Sequence, residues 1–203
     1  MVRHLLIAGM WALASTSDER IVMVPSAVQI ERPDLLREGD LVLREGRGWR
    51  ADVVYAASSF AMTHVGILVA DGHGNWNVIH AAPPEGNIPG GVRSEPLLQF
   101  AAKDQAQTVG FQRLQSSRAL IDRIVSIART EARQNIPFDD AFDLHDQRAL
   151  YCTEFIWWVV NRAGHSLSPR LTRVRAGVLT GDYMTPRDLL ATGDFRPVGA
   201  WIR

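Results

Sequence analysis

Tyr151-Cys152-Thr153-Glu154-Phe155-Ile156-Trp157-Trp158-Val159-Val160 contains the single cysteine of this 203-residue chain. The polar run Asp146–Leu150 leads into it, and Gly164 follows at the place of a C-terminal helix glycine. Those boundaries predict a helix that begins at Cys152. Apolar residues cover most of its circumference, so it belongs in the middle of the fold. A thiol at a helix N-terminus meets unpaired backbone N–H groups and the positive end of the helix dipole. Both favour the nucleophilic thiolate. A lone cysteine is equally an ordinary small core residue, so this stretch alone leaves chemistry and packing open.

Outward from the helix, composition sets the frame. Apolar residues make up 46% and charged residues 22%, enough for one globular domain with a real core. Lys plus Arg equals Asp plus Glu at 22 each, which points away from nucleic acid as a partner. One cysteine rules out an internal disulfide and any multi-cysteine zinc site. Arg3-His4, the apolar run Leu5–Ala14 and the pattern Ala12-Leu13-Ala14 have the layout of a secretory leader. The run is too short to cross a bilayer. Residues 1–14 are therefore expected to be a signal peptide and 15–203 a single domain, exported to the periplasm or secreted. An apolar first strand in a cytoplasmic protein is the alternative. Stable membrane insertion is not expected.

Further elements follow from pattern. Residues 17–38 read as an irregular or short-strand lead-in. Leu41–Arg44 follows the turn signal Gly39-Asp40 as a strand, and Trp49–Phe60 has near-helical spacing. His64–Ala70 and Trp76–Ala82 flank the turn Asp71–Asn75 as an antiparallel hairpin. Pro83–Gly91 must be loop. Thr108–Leu114 is a strand and Ser117–Arg133 an amphipathic helix. The Arg-rich stretch after Gly164, with Arg170, Arg173 and Arg175, reads as irregular. Thr185–Leu190 is a short capped helix with Pro186 at its first position, and Arg196–Arg203 a closing strand.

A cysteine nucleophile needs a base, and the base needs an orienting group. There are six histidines: His4, His64, His73, His80, His145 and His165. His4 falls in the leader, His73 at the hairpin tip and His165 past the helix end. His145 stays a candidate because a short loop joins it to Cys152. His64 and His80 follow from register. With a five-residue turn, Ala70 opposes Trp76, so His80 opposes Gly66 and His64 opposes Ala82. Both rings then share a face, with Cα atoms roughly 7–8 Å apart. Gly66 and Ala82 leave room beside them. One strand histidine is commonly a satisfied packing residue. Two on one face, in a chain with one helix-capping cysteine, predict a site. Cys152 would be the nucleophile, with His64 as its base or as the imidazolium partner of a thiolate. His80 would hold the far nitrogen of His64. The Cys152 N–H is a natural oxyanion donor. Tyr151 could add a hydroxyl near the oxyanion, or simply pack. Glu154 could touch substrate, though a helix cap is the simpler reading.

The runs Gly39-Asp40-Leu41-Val42, Thr63-His64-Val65-Gly66-Ile67, Val78-Ile79-His80-Ala81 and Tyr151-Cys152-Thr153-Glu154-Phe155 resemble, in that order, the permuted papain-fold amidases of the NlpC/P60 superfamily, YiiX/YaeF-like branch. The resemblance spans about Asp34–Gly164. It implies an α+β, papain-like fold with a small antiparallel sheet packed on the cysteine-bearing helix. It matches Cys152 to the nucleophile, His64 to the base and His80 to the third polar residue. Glu is common at the third position in YiiX-like chains, whereas His resembles the lecithin:retinol acyltransferase-like branch. The expected function is thus a cysteine hydrolase that cleaves an amide through an acyl-enzyme, with a peptide, plausibly from the cell wall, or an acylated small molecule as partner. An acyltransferase or lipid hydrolase is the first alternative, and a non-catalytic peptide- or lipid-binding domain the second. No cofactor is expected. A metal held by His64, His80 and Cys152 would suit zinc in residue type, but the order of motifs favours the thiol site, and no metal is expected.

Overall fold

The computed structural model describes residues 30–176 and 179–202. The expected leader, residues 1–14, lies outside them. In chain order the strands are β1 (Ile30–Glu31), β2 (Leu41–Gly46), β3 (His64–Ala70), β4 (Trp76–Ala82), β5 (Gly91–Pro96), β6 (Ala106–Leu114), β7 (Thr172–Ala176), β8 (Leu179–Tyr183) and β9 (Phe195–Ile202). The helices are α1 (Trp49–Ser58), α2 (Leu97–Phe100), α3 (Arg118–Gln134), α4 (Cys152–Arg162) and α5 (Pro186–Leu190). Seven strands form one antiparallel sheet in the order β1-β9-β6-β2-β3-β4-β5, and β7-β8 is a separate hairpin.

The α+β architecture is as expected, but the sheet is larger than the small one anticipated. Two strands read singly from the sequence, β6 and β9, both pair into it, and β5 adds an edge directly after the Pro-rich loop. The irregular reading of the Arg-rich stretch is also corrected. Thr172–Ala176 pairs with Leu179–Tyr183, and Arg173 bonds Asp182 across the ladder. Its alternation was hidden because the described side chains of β7 are exposed or half-buried, so no apolar face marks the strand.

The predicted hairpin register is the observed one: Ala70 opposes Trp76, Leu68 opposes Val78 and Ile67 opposes Ile79. Side-chain alternation divides the core in two. Val65, Ile67 and Ile79 face α4, where Phe155, Ile156 and Val159 are fully buried against them. Val42, Leu68 and Val78 face the opposite way, toward Phe100, Phe111 and Ile202. The helix α4 ends as read. Gly164 takes φ +97°, and His165 N–H reaches back to the Val160 carbonyl at 3.2 Å, the closing bond of a Schellman cap. Ser117 caps α3 through Leu120 N–H, and Thr185 with Asp188 forms the capping box of α5.

Candidate active site

The two histidines occupy the sheet face away from the body of α4. His64 is the first residue of β3, and there the sheet ends beside the first turn of the helix. The backbone N–H groups of Val65, Thr153 and Cys152 itself act electrostatically on the Cys152 sulfur in favour of the thiolate. Cys152 is half-buried. It lines a cleft of about 390 Å³ together with His64, Arg44, Thr63, Phe142 and Glu85. The thiol is therefore open to that cleft, although no thiol–imidazole hydrogen bond is formed.

His64 Nε2 lies 2.7 Å from His80 Nδ1, with the rings edge to face at 5.0 Å between centroids. Gly66 makes this possible. A Cβ there would come within 2.4 Å of Val78 Cγ1 and 3.0 Å of His80 Cβ. His80 is fully buried, and Phe100 floors both rings. On the far side, His80 Nε2 meets Glu95 Oε1 at 3.0 Å, an ion-pair distance at an angle poor for a straight hydrogen bond. Glu95 reaches this point because β5 pairs with β4, setting it opposite Val78. The sequence reading missed it. Its only sequence signal is a charged residue in a short run after the Pro-rich loop.

The contacts dictate tautomers. The Glu95 carboxylate accepts only, so the proton of His80 belongs on Nε2. His80 Nδ1 is then an acceptor, and His64 must donate from Nε2. That leaves the lone pair of His64 on Nδ1. Burial pushes the His64 imidazolium well below the usual 6.5, and the nearby Arg44, His80 and Arg93 push the same way. Burial also keeps His80 neutral, against the pull of Glu95. Burial acts to raise the Glu95 carboxyl, but His80, Arg44 and Arg93 outweigh it and hold it ionised.

The sulfur departs from expectation. Burial raises the Cys152 thiol to about 11, despite the backbone N–H groups and Arg44 that favour thiolate. Desolvation outweighs the helix terminus. Both shifts favour a neutral thiol and a neutral imidazole over a thiolate–imidazolium pair.

The remaining predicted residues serve the scaffold. Tyr151 is buried, and its hydroxyl accepts from Met184 N–H at 3.1 Å. Thr153 Oγ1 donates to the Met184 carbonyl at 2.6 Å, so both clamp the helix start. Glu154 is fully buried and caps its own helix, accepting from Tyr151 N–H at 3.4 Å. Burial raises its carboxyl to about 8, with Asp139, Asp143 and Asp146 adding repulsion. His145 is exposed and does not line the cleft. His73 is exposed at the hairpin tip, and His165 pairs with Asp194 at 3.1 Å.

Against known proteins, a family model described as permuted papain-like amidase enzyme, YaeF/YiiX, C92 family, matches residues 35–172. The crystal structure of the metalloprotein yiiX from Escherichia coli O157:H7 superposes with a TM-score of 0.65 at 17% identity, covering 79% of this chain and 95% of that one. That likeness concerns the fold. No curated protein matches the chain significantly.

Proposed function

Since the chain belongs to the family of permuted papain-like amidases of the YaeF/YiiX type, we propose that it hydrolyses an amide with Cys152 as nucleophile, His64 as general base and His80 as the group that orients His64. The observation that carries this is the chain of contacts from Glu95 through His80 to His64, beside a half-buried thiol in an open cleft. His64 Nδ1 takes the thiol proton as the sulfur attacks the carbonyl carbon. The oxyanion accepts from the Cys152 N–H at the helix start. Collapse breaks the C–N bond, and His64 returns the proton to the leaving amine. Water then attacks the thioester with His64 again as base, freeing the acid and the thiol.

A second, smaller cavity adjoins the cleft at Cys152. Val53, Val54, Ala57, Tyr151, Met184 and Pro186 help enclose an apolar pocket of about 70 Å³ that ends at Cys152. This is under half the roughly 150 Å³ that accommodates a benzene ring. It suits a short side chain. A cell-wall peptide fits this reading if residues 1–14 export the protein, which the N-terminal mass of the mature protein would test.

The yiiX protein is described as a metalloprotein, but the donor set of this chain does not fit a metal. Three of the four ring nitrogens of His64 and His80 face each other or Glu95, leaving His64 Nδ1. Among the described residues no three His, Cys, Asp or Glu side chains are grouped to hold an ion. Zinc requires three or four such ligands.

Intact-mass analysis during turnover of cell-wall peptides and of acyl lipids tests the proposal. An acyl adduct on Cys152 with peptide amides is expected. Turnover that persists in Cys152→Ala would remove the thiol mechanism.

A further inference from the structure

Arg44 is 8% exposed, on β2 and directly opposite His64. Its Nη1 donates to the Phe100 carbonyl at 3.0 Å, and its guanidinium carbon sits 4.6 Å over the Phe100 ring. The Nε is buried and has no hydrogen-bond partner. No carboxylate among the described residues forms an ion pair with Arg44. Glu95 and Glu85 act on it through space, Glu95 while meeting His80 and Glu85 while bonding Arg93 at 2.7 Å. A buried guanidinium with one N–H left unpaired is costly. This one lines the same cleft as Cys152.

The other charges of the cleft do not offset it. Arg50 pairs with Asp140 at 3.6 Å, and Glu85 is taken by Arg93. Arg47, exposed at the rim, forms no ion pair with a described residue. Two guanidinium groups thus line the cleft of Cys152 without an ion-pair partner among the described residues, and Arg44 keeps an unpaired, buried Nε. Guanidinium forks match carboxylates in geometry and charge.

We infer that Arg44, with Arg47 at the rim, forms an anion subsite, and that the amide cleaved at Cys152 carries a carboxylate close to the scissile bond. This rests on the hydrolase reading for its placement at a reacting centre, but binding at the subsite can be measured without turnover.

Two alkylating reagents of equal shape serve as probes. Iodoacetate is a carboxylate and iodoacetamide is neutral, and the chain has one thiol to modify. The ratio of their rates on the native protein at low salt is compared with the ratio on glutathione. An anion subsite raises the ratio at Cys152 by about tenfold, the effect of one charge-assisted hydrogen bond. The gain shrinks as NaCl is raised to about 0.5 M, is lost in Arg44→Gln and is partly kept in Arg44→Lys. The salt series on native protein stands even where Arg44→Gln fails to fold. A ratio at or below that of glutathione, with both reagents reacting, overturns the subsite and leaves the nucleophile intact. A native thiol inert to both even at about pH 10, where it begins to ionise, overturns subsite and hydrolase together. A raised, salt-sensitive ratio without amide turnover supports the subsite and sinks only the hydrolase.

Discussion

His64 Nε2 and His80 Nδ1 are 2.7 Å apart, and Glu95 lies 3.0 Å beyond on the far nitrogen of His80. One ring fixes the protonation of the other, so the free lone pair falls on His64 Nδ1. In this arrangement His80 holds a proton in place instead of accepting one.

Replacing His80 should therefore affect rate more than binding. His80→Ala is expected to lower kcat by about 10²–10⁴, the usual weight of general acid–base catalysis, with KM little changed. Glu95→Gln, whose side-chain oxygen can still accept from His80, should cost far less than Glu95→Leu. Steady-state kinetics on the three variants check this. Equal losses for Gln and Leu would contradict the tautomer assignment.

The pH behaviour follows from the two groups proposed to react. Burial and Arg44 lower His64, so the acid limb of kcat/KM should fall below the ordinary histidine value of 6.5. Burial raises Cys152 to about 11, so alkylation by iodoacetamide should climb steadily with pH and show no plateau near neutrality. A plateau by pH 7 would mean a preformed thiolate instead.

Glu154 couples stability to pH. Its carboxyl titrates at about 8 in the folded chain against 4.5 ordinarily, because burial disfavours the ion. Between those values the unfolded chain has released this proton while the folded chain retains it. The contribution is complete below pH 4.5 and is lost as pH rises through about 8. Tm should fall across that interval more steeply in the native protein than in Glu154→Gln, by a few degrees at about 2–4 °C per kcal/mol. Parallel thermal melts from pH 4.5 to 8.5 read the difference.

Gly66 is needed for close approach and not for unusual backbone. In Gly66→Ala the new methyl would meet Val78 Cγ1 at 2.4 Å and the Ile79 carbonyl at 3.0 Å. Overpacking of this kind costs about 1–3 kcal/mol, and the His80 ring would shift with it. A lower denaturation midpoint together with a lower kcat is expected. Full activity at reduced stability would separate packing from ring placement.

Local pattern made much of this legible. The hairpin register, the helix starting at Cys152 and its glycine end all come from neighbouring residues, and the structure has them as read. Glu95 and Arg44 were not legible, because each acquires its meaning from a neighbouring strand whose register no tight turn fixes: Glu95 from β4, and Arg44 from β3. The thiol shift was hidden for a related reason. A helix N-terminus is visible in the sequence, whereas the depth of packing around it is a property of the assembled core. The β7–β8 hairpin escaped because charged residues alternate there without an apolar face.

Tyr151 and Thr153 both fasten to Met184, and β9 lies between β1 and β6. Met184 and β9 come after residue 172, where the family match stops. A polypeptide ended at Thr172 would retain Cys152, His64, His80 and Glu95, yet forfeit the anchor of the helix start, one wall of the apolar pocket and a partner of β6. The stretch that identifies the family is thus structurally incomplete by itself: the start of its cysteine-bearing helix is fastened to a segment beyond the match.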